Sequence, residues 1–175
     1  FAAAVILSNK IDAKDIKDSK KIPFKKRILI SEYIKKNSIY AVGIASVDEI
    51  NRINILNASL LSMQRALDKL KIRPTVAYID GPFAPKNINI KCRTFIKGDE
   101  KITCIAAASI VAKAARDLFM IKLSKNYSKY NWQKNFGYGT ANHLLNLRKY
   151  GVTKHHRKNF KPVHNILMHT TRETL

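Results

Sequence analysis

The sequence predicts an α/β protein, and three observations carry that expectation. Short apolar runs of strand length alternate with longer segments whose apolar residues recur at helical spacing. One short run, Val76-Ala77-Tyr78-Ile79, ends in Asp80 and then Gly81. In open α/β sheets, functional groups sit at the carboxyl ends of strands. The small-residue run Ala106 to Lys113 follows Asp99 and has the composition of a packed helix.

The elements follow in order. Phe1 to Leu7 is a buried strand; it lacks a basic leader and is too short for a signal peptide. Residues 8–22 form a polar loop containing Asp18-Ser19-Lys20-Lys21. Pro23 suits the first turn of a helix that runs to about Lys36. Ile39 to Val47 is a strand, and Ser46-Val47-Asp48-Glu49 has capping-box spacing. Ile55, Leu56, Leu60, Met63, Leu67 and Leu70 mark the next helix, which Pro74 ends. Thr75 to Asp80 is a strand, residues 81–90 a loop, and Lys91 to Ile96 a further strand. A long helix spans about Ile102 to Leu123. Gly137-Tyr138-Gly139 is a turn, Thr140 caps a helix, and Gly151 closes it. The stretch His155 to Pro162 is irregular and basic. The 175 residues fit a single domain, with 140–175 as its C-terminal helical and basic region.

Composition narrows the classes. The net charge is +21, which points to a polyanionic partner held by phosphate contacts. Lys, Ile and Asn are abundant throughout, so compositional drift contributes to that charge as well. Apolar residues make up 46%, which excludes a disordered chain. Charged residues interrupt every apolar run, so a soluble, cytoplasmic protein with no membrane association is expected. Cys92 and Cys104 lack metal-ligand spacing and fit reduced thiols.

Asp80 is the first candidate for chemistry. A carboxylate at the end of a buried strand is costly unless it binds a metal or a hydrogen-bond donor. The competing role is a turn cap before Pro82. Asp99 is the second, since hard divalent cations take several oxygen ligands; its competing role is a helix N-cap. Asp117, beside Arg116, fits a helix-surface ion pair better than a metal ligand. Tyr138, between two glycines, is placed to stack on a sugar or base, or to pack over the core edge. His155 and His156 next to Arg157 suggest a phosphate clamp or a solvated tail, while His143 and His164 carry no assignment.

These motifs, in this order, resemble ribonuclease HII, the bacterial type 2 ribonuclease H. The carriers are Asp18-Ser19-Lys20-Lys21, Gly43-Ile44-Ala45-Ser46, Asn54 to Ala58, Tyr78 to Gly81, Lys97-Gly98-Asp99, Ala106 to Lys113 with Arg116-Asp117, Gly137 to Thr140, and His156-Arg157 with Phe160 and Pro162. The resemblance implies a ribonuclease H-like fold, a mixed central sheet flanked by helices. It implies a monomeric endonuclease of DNA repair that cleaves RNA–DNA hybrids and DNA with embedded ribonucleotides by two-metal-ion phosphodiester hydrolysis, using Mn2+ or Mg2+. Of the family's four carboxylates, Asp80 matches the third and Asp99 the fourth. Tyr138 matches the tyrosine that stacks at the RNA–DNA junction. Ser19, Lys20, Lys21 and Arg157 are candidates for substrate contacts.

The family's opening strand, with its Asp-Glu pair and Gly-Arg-Gly turn, has no match in this sequence. The expectation is therefore a fold whose first, central strand is missing from the chain, and an enzyme with little activity of its own. The alternative is a non-catalytic, basic nucleic-acid-binding remnant.

Overall fold

A computed structural model describes residues 1–9, 11, 13–16 and 22–172. Ser19, Lys20 and Lys21, three candidates for substrate contact, lie outside the described residues, as does Asp18. In chain order the elements are β1 (Ala2–Ile6), α1 (Phe24–Asn37), β2 (Ile39–Gly43), α2 (Val47–Asp68), β3 (Val76–Asp80), β4 (Lys91–Phe95), α3 (Gly98–Lys101), α4 (Thr103–Ser124), α5 (Trp132–Asn135), α6 (Ala141–Tyr150) and α7 (Lys161–Arg172). They gather into two compact units: residues 1–45 with 59–115, and residues 46–58 with 116–175.

The first unit carries the strands. β1 runs antiparallel to β2, with Ala4 opposite Ala41, and β3 runs parallel to β4, with Asp80 opposite Phe95. Helices cover both faces of β1. Ala4 packs with Ala66, Leu67, Ala77 and Ile79. The alternate residues Ala3, Val5 and Leu7 pack against Ile34, Ala106, Ala107 and Ile110 instead. Successive strand side chains point to opposite faces, so the two clusters lie on opposite sides of the strand. The small residues expected to make α4 a packed helix do so, for Ala107, Ile110, Val111 and Ala114 are fully buried.

The strand expected to reach Val47 stops at Gly43. A Cβ at Gly43 would lie 1.9 Å from the Ser62 carbonyl oxygen and 2.6 Å from the Ala66 nitrogen. Backbone therefore lies directly on backbone where β2 meets α2, and only glycine fits. Helix α2 also begins earlier than its apolar periodicity indicated. Ser46 and Glu49 form the expected capping box, Ser46 N donating to Glu49 Oε2 at 2.8 Å and Glu49 N to Ser46 Oγ at 3.1 Å. The helix breaks at Asn54, whose φ of 66° and ψ of 171° are non-helical. Asn54 Oδ1 accepts the Asn57 amide at 3.0 Å and so restarts the helix. The periodic residues from Ile55 onward belong to the segment after this break.

The second unit is helical, built around Tyr130, Trp132, Leu147 and Val163. Thr140 caps α6 by accepting the His143 amide at 3.3 Å, and Gly151 closes it at a φ of 78°, both as expected. Helix α7 begins at Lys161, inside the stretch expected to be irregular as far as Pro162; that proline falls in the first turn, where no intrahelical N–H is needed. Among the described residues no helix is long and apolar enough to cross a membrane.

Candidate active site

In the first unit the geometry centres on the end of β3. Gly81, at a φ of 97°, turns the backbone away, and its amide donates to the Phe95 carbonyl at 2.9 Å. Asp80 is the last residue of the strand and is exposed. Its Oδ1 accepts the Gly98 amide at 2.9 Å. Asp99 follows Gly98 directly and is buried, at 5% exposure. One hydrogen bond thus ties the carboxylate of β3 to the backbone of the turn that carries the second acid.

That turn is shaped by two unusual residues. Lys97 adopts a left-handed conformation at a φ of 55°. A Cβ on Gly98 would come within 2.7 Å of Ile105 Cδ1 and 3.1 Å of Phe95 Cβ. A side chain there would push the turn off both β4 and α4. Lys97 and Gly98 serve Asp99 as scaffold, a role that the motif Lys97-Gly98-Asp99 held without showing it. Asp99 itself sits inside the one-turn helix α3 and is not its N-cap; Lys97 takes that position.

The residues present offer a hard cation two carboxylates. Mg2+ is commonly bound through one or two carboxylates with the rest of its shell supplied by water and substrate phosphate. Asp80 and Asp99 are the two carboxylates that this strand end and its turn could offer such an ion. Among the described residues no group of three or more His, Cys, Asp or Glu converges to hold a metal.

The second unit holds Tyr138 on its surface, at 57% exposure. The Arg116 guanidinium lies 4.5 Å from the centre of the Tyr138 ring. Asn135 fixes the turn before it: its side-chain oxygen accepts the Gly137 amide at 2.8 Å, and its carbonyl accepts the Tyr138 amide at 2.8 Å. Gly137 has a φ of 76°, and a Cβ there would also strike Met120 Cε at 2.9 Å. Arg157 is exposed and lies 5.5 Å from the Phe160 ring centre. Phe160 in turn reaches under Gly139, where a Cβ would sit 3.4 Å from its Cζ.

Behind Tyr138 runs a chain of buried rings whose hydrogen bonds fix their tautomers. The Thr153 amide donates to His156 Nδ1 at 3.0 Å, so the neutral His156 carries its proton on Nε2. That nitrogen faces His143 Nε2 at 3.4 Å, and Trp132 Nε1 donates to the same acceptor at 3.3 Å. His143 must then carry its proton on Nδ1, which donates to the Tyr138 carbonyl at 2.9 Å. Burial, and after it the adjacent His143, push the His156 ring down to about 4.

Two sequence expectations are corrected here. His156 is not half of a phosphate clamp: it is buried, at 7% exposure, and serves the interior network. Asp117 does pair with Arg116, its Oδ1 3.9 Å from Arg116 Nη1, but its carboxylate is buried, at 3% exposure, and not on the helix surface. Sequence reasoning also passed over Asn135 and His143. The available signals were slight: Asn135 stands two residues before the turn glycine, and His143 three after the cap Thr140.

Comparison with known proteins accounts for the motifs. The family model for Ribonuclease HII matches residues 1–163. The Ribonuclease HII of Pelagibacter ubique is 53% identical over 167 residues, covering 95% of this chain and 90% of that protein. That of Neisseria meningitidis serogroup B is 46% identical over 168 residues, covering 95% and 87%. In fold, the chain is similar to the crystal structure of ribonuclease H2 from Pyrococcus horikoshii, with a TM-score of 0.75 at 21% identity over 97% of this chain and 98% of that one. It is also similar to the ribonuclease HII of Archaeoglobus fulgidus, whose structure was solved in complex with PCNA, with a TM-score of 0.69 at 22% identity over 94% and 87%. The fold is therefore ribonuclease H-like, and the chain belongs to the ribonuclease HII family, hydrolases that act as ribonuclease H-type endonucleases.

Proposed function

We propose that this chain hydrolyses the RNA strand of RNA–DNA hybrids, and single ribonucleotides embedded in DNA, at Asp80 and Asp99. The observation that carries the reading is the hydrogen bond from the Gly98 amide to Asp80, which sets two acids at one strand end in a chain of net charge +21. Asp80 and Asp99 would hold Mg2+ or Mn2+, which supplies a nucleophilic hydroxide and stabilises charge on the leaving 3′ oxygen. Tyr138, backed by Arg116, offers a stacking face to the nucleic acid. Arg157, with Lys20 and Lys21, holds phosphates, and Ser19 contacts the substrate beside them. Removal of ribonucleotides from DNA makes this a repair activity, carried out in the cytoplasm by a monomer.

With two carboxylates at the strand end to hold the metal, slow turnover is expected. A non-catalytic nucleic-acid-binding role is the second reading, and one observation favours it: no larger acidic group converges among the described residues.

One experiment addresses both. Mn2+ is titrated against the chain, Asp80→Asn and Asp99→Asn by electron paramagnetic resonance, and a duplex with one embedded ribonucleotide is incubated with each protein. Each substitution is expected to weaken Mn2+ binding at least tenfold. Slow cleavage at the ribonucleotide, lost in both variants, supports the enzyme. Metal binding unchanged by either substitution overturns the site. Metal binding without any cleavage supports the binding role. Vigorous turnover by the chain alone overturns the expectation of weak activity.

A further inference from the structure

In the second unit one exposed ring stands on a backbone that is fastened on both sides. Tyr138 lies between Gly137 and Gly139 and is 57% exposed. Two flanking glycines would leave such a turn loose, because glycine restricts the chain least. The Tyr138 amide nevertheless donates to the Asn135 carbonyl at 2.8 Å. Asn135 is itself buried, its side chain donating to the Tyr130 carbonyl at 2.8 Å. The Tyr138 carbonyl accepts two donors, the Thr140 amide at 2.8 Å and His143 Nδ1 at 2.9 Å. The second of these comes from the interior, for His143 is buried.

That last bond exists in only one tautomer of neutral His143. An indole N–H donates and never accepts, so Trp132 Nε1, 3.3 Å from His143 Nε2, makes that nitrogen an acceptor. The proton of the ring is then on Nδ1, facing Tyr138. His156 acts in the same sense. The Thr153 amide occupies its Nδ1 at 3.0 Å, which leaves its Nε2 proton facing His143 Nε2 at 3.4 Å. Two buried donors thus set the state of one imidazole, and its remaining donor reaches the carbonyl beneath the exposed ring. Packing alone does not call for this arrangement. An apolar side chain at position 143 would meet the Tyr130 and Trp132 rings, 6.4 and 6.3 Å away, without the cost of burying a polar group. What only the imidazole supplies is the bond at its outer end.

We propose that His143 is a positioning residue for nucleic-acid recognition: held in one tautomer by Trp132 and His156, it fixes the Tyr138 carbonyl and with it the plane that the exposed ring presents to a base or sugar. This rests on the reading of Tyr138 as a stacking face. It goes beyond that reading by placing control of the face in the interior, on a residue that never touches the nucleic acid. The physical gain is preorganisation. A ring already oriented loses little conformational freedom on binding, whereas a loose one must be ordered by the ligand itself. The Arg116 guanidinium, 4.5 Å from the ring centre, acts on the ring; His143 acts on the backbone beneath it.

Two substitutions separate positioning from packing. An asparagine amide nitrogen lies where Nδ1 lies in histidine, so His143→Asn keeps the donor toward Tyr138 and loses the acceptor for Trp132 and His156. A glutamine carboxamide reaches to the place of Nε2, so His143→Gln keeps the acceptor and loses the donor. Each is made in the full chain and in Tyr138→Ala. Binding to a duplex with one embedded ribonucleotide is followed by fluorescence anisotropy, and melting by circular dichroism. Tyr138→Ala is expected to weaken binding about tenfold. His143→Gln should weaken it about fivefold in the full chain and add nothing in Tyr138→Ala. His143→Asn should melt lower than His143→Gln, because it strands two buried donors, yet bind more tightly. Where His143→Asn does not fold, the comparison of His143→Gln in the two backgrounds decides alone. An equal loss from His143→Gln in both overturns the proposal, since the effect would not pass through the ring. So does affinity that follows melting temperature across the variants, which is the mark of a packing role. No effect of Tyr138→Ala overturns the stacking reading itself, and this proposal with it.

Discussion

His156 prefers different protonation states in the folded and unfolded chain, and this makes the fold sensitive to acid. Its folded value is near 4, against 6.5 for an ordinary imidazole. Between those values the unfolded chain takes up the proton and the folded chain resists, so stability is present above the upper value and lost as pH falls toward the lower. At 1.36 kcal/mol per unit, the loss is about 3 kcal/mol. His155 is lowered too, by burial and then by Lys154, and acts in the same direction. The melting temperature is expected to fall steeply between pH 7 and pH 4. His156→Asn should melt lower at pH 7 and show a flatter pH profile. An unchanged slope in the variant would place the acid sensitivity elsewhere. At this scale the sequence told little. Asp80 and Tyr138 stood out because each sits beside a glycine in a short motif. His143 and His156 did not, because their roles come from rings thirteen residues apart meeting edge to edge in the interior.

Helix α2 shows what periodicity reveals about an element and what it hides. The apolar spacing is correct for Met63, Leu67 and Leu70, which pack with Ala4, Ala77 and Ile79, whereas Ile55 and Leu56 are exposed. The first part, from Val47, is short and capped, and was legible through Ser46 and Glu49 alone. The break between them is set by one backbone conformation at Asn54, which leaves no periodic trace. Strand β2 ended early for a related reason, since the close approach at Gly43 is a tertiary constraint. Gly43→Ala is expected to cost about 3 kcal/mol or more, because the new methyl meets main-chain atoms that cannot swing aside. Chemical denaturation of the variant measures it. A cost below about 1 kcal/mol would mean that β2 and α2 separate easily.

Across the whole molecule, the excess of 33 basic over 12 acidic residues governs binding before any motif does. Duplex affinity is expected to fall about a thousandfold or more between 50 and 200 mM salt, as for proteins that touch six or more phosphates. Tyr138→Ala should lower affinity at both salt concentrations by a similar factor, because stacking does not release counterions. Fluorescence anisotropy with DNA and ribonucleotide-containing duplexes checks both points. A shallow salt slope would mark the charge as compositional drift. The fold class was readable at this scale because strand and helix signals alternate and the motifs hold family order. The division into two compact units was not, since two of its three boundaries fall inside α2 and α4, where the helical pattern continues without a gap.

The chain has a single tryptophan, and it lies at the centre of the helical unit, 1% exposed and stacked on Tyr130 at 5.1 Å. The strand-bearing unit has none. Intrinsic emission excited at the indole band therefore reports the melting of the helical unit without a contribution from the sheets. Trp132 also lies 5.3 Å from the His156 ring, and a protonated imidazole quenches indole emission. The same signal, followed in acid before unfolding begins, becomes an optical titration of the buried His156 ring.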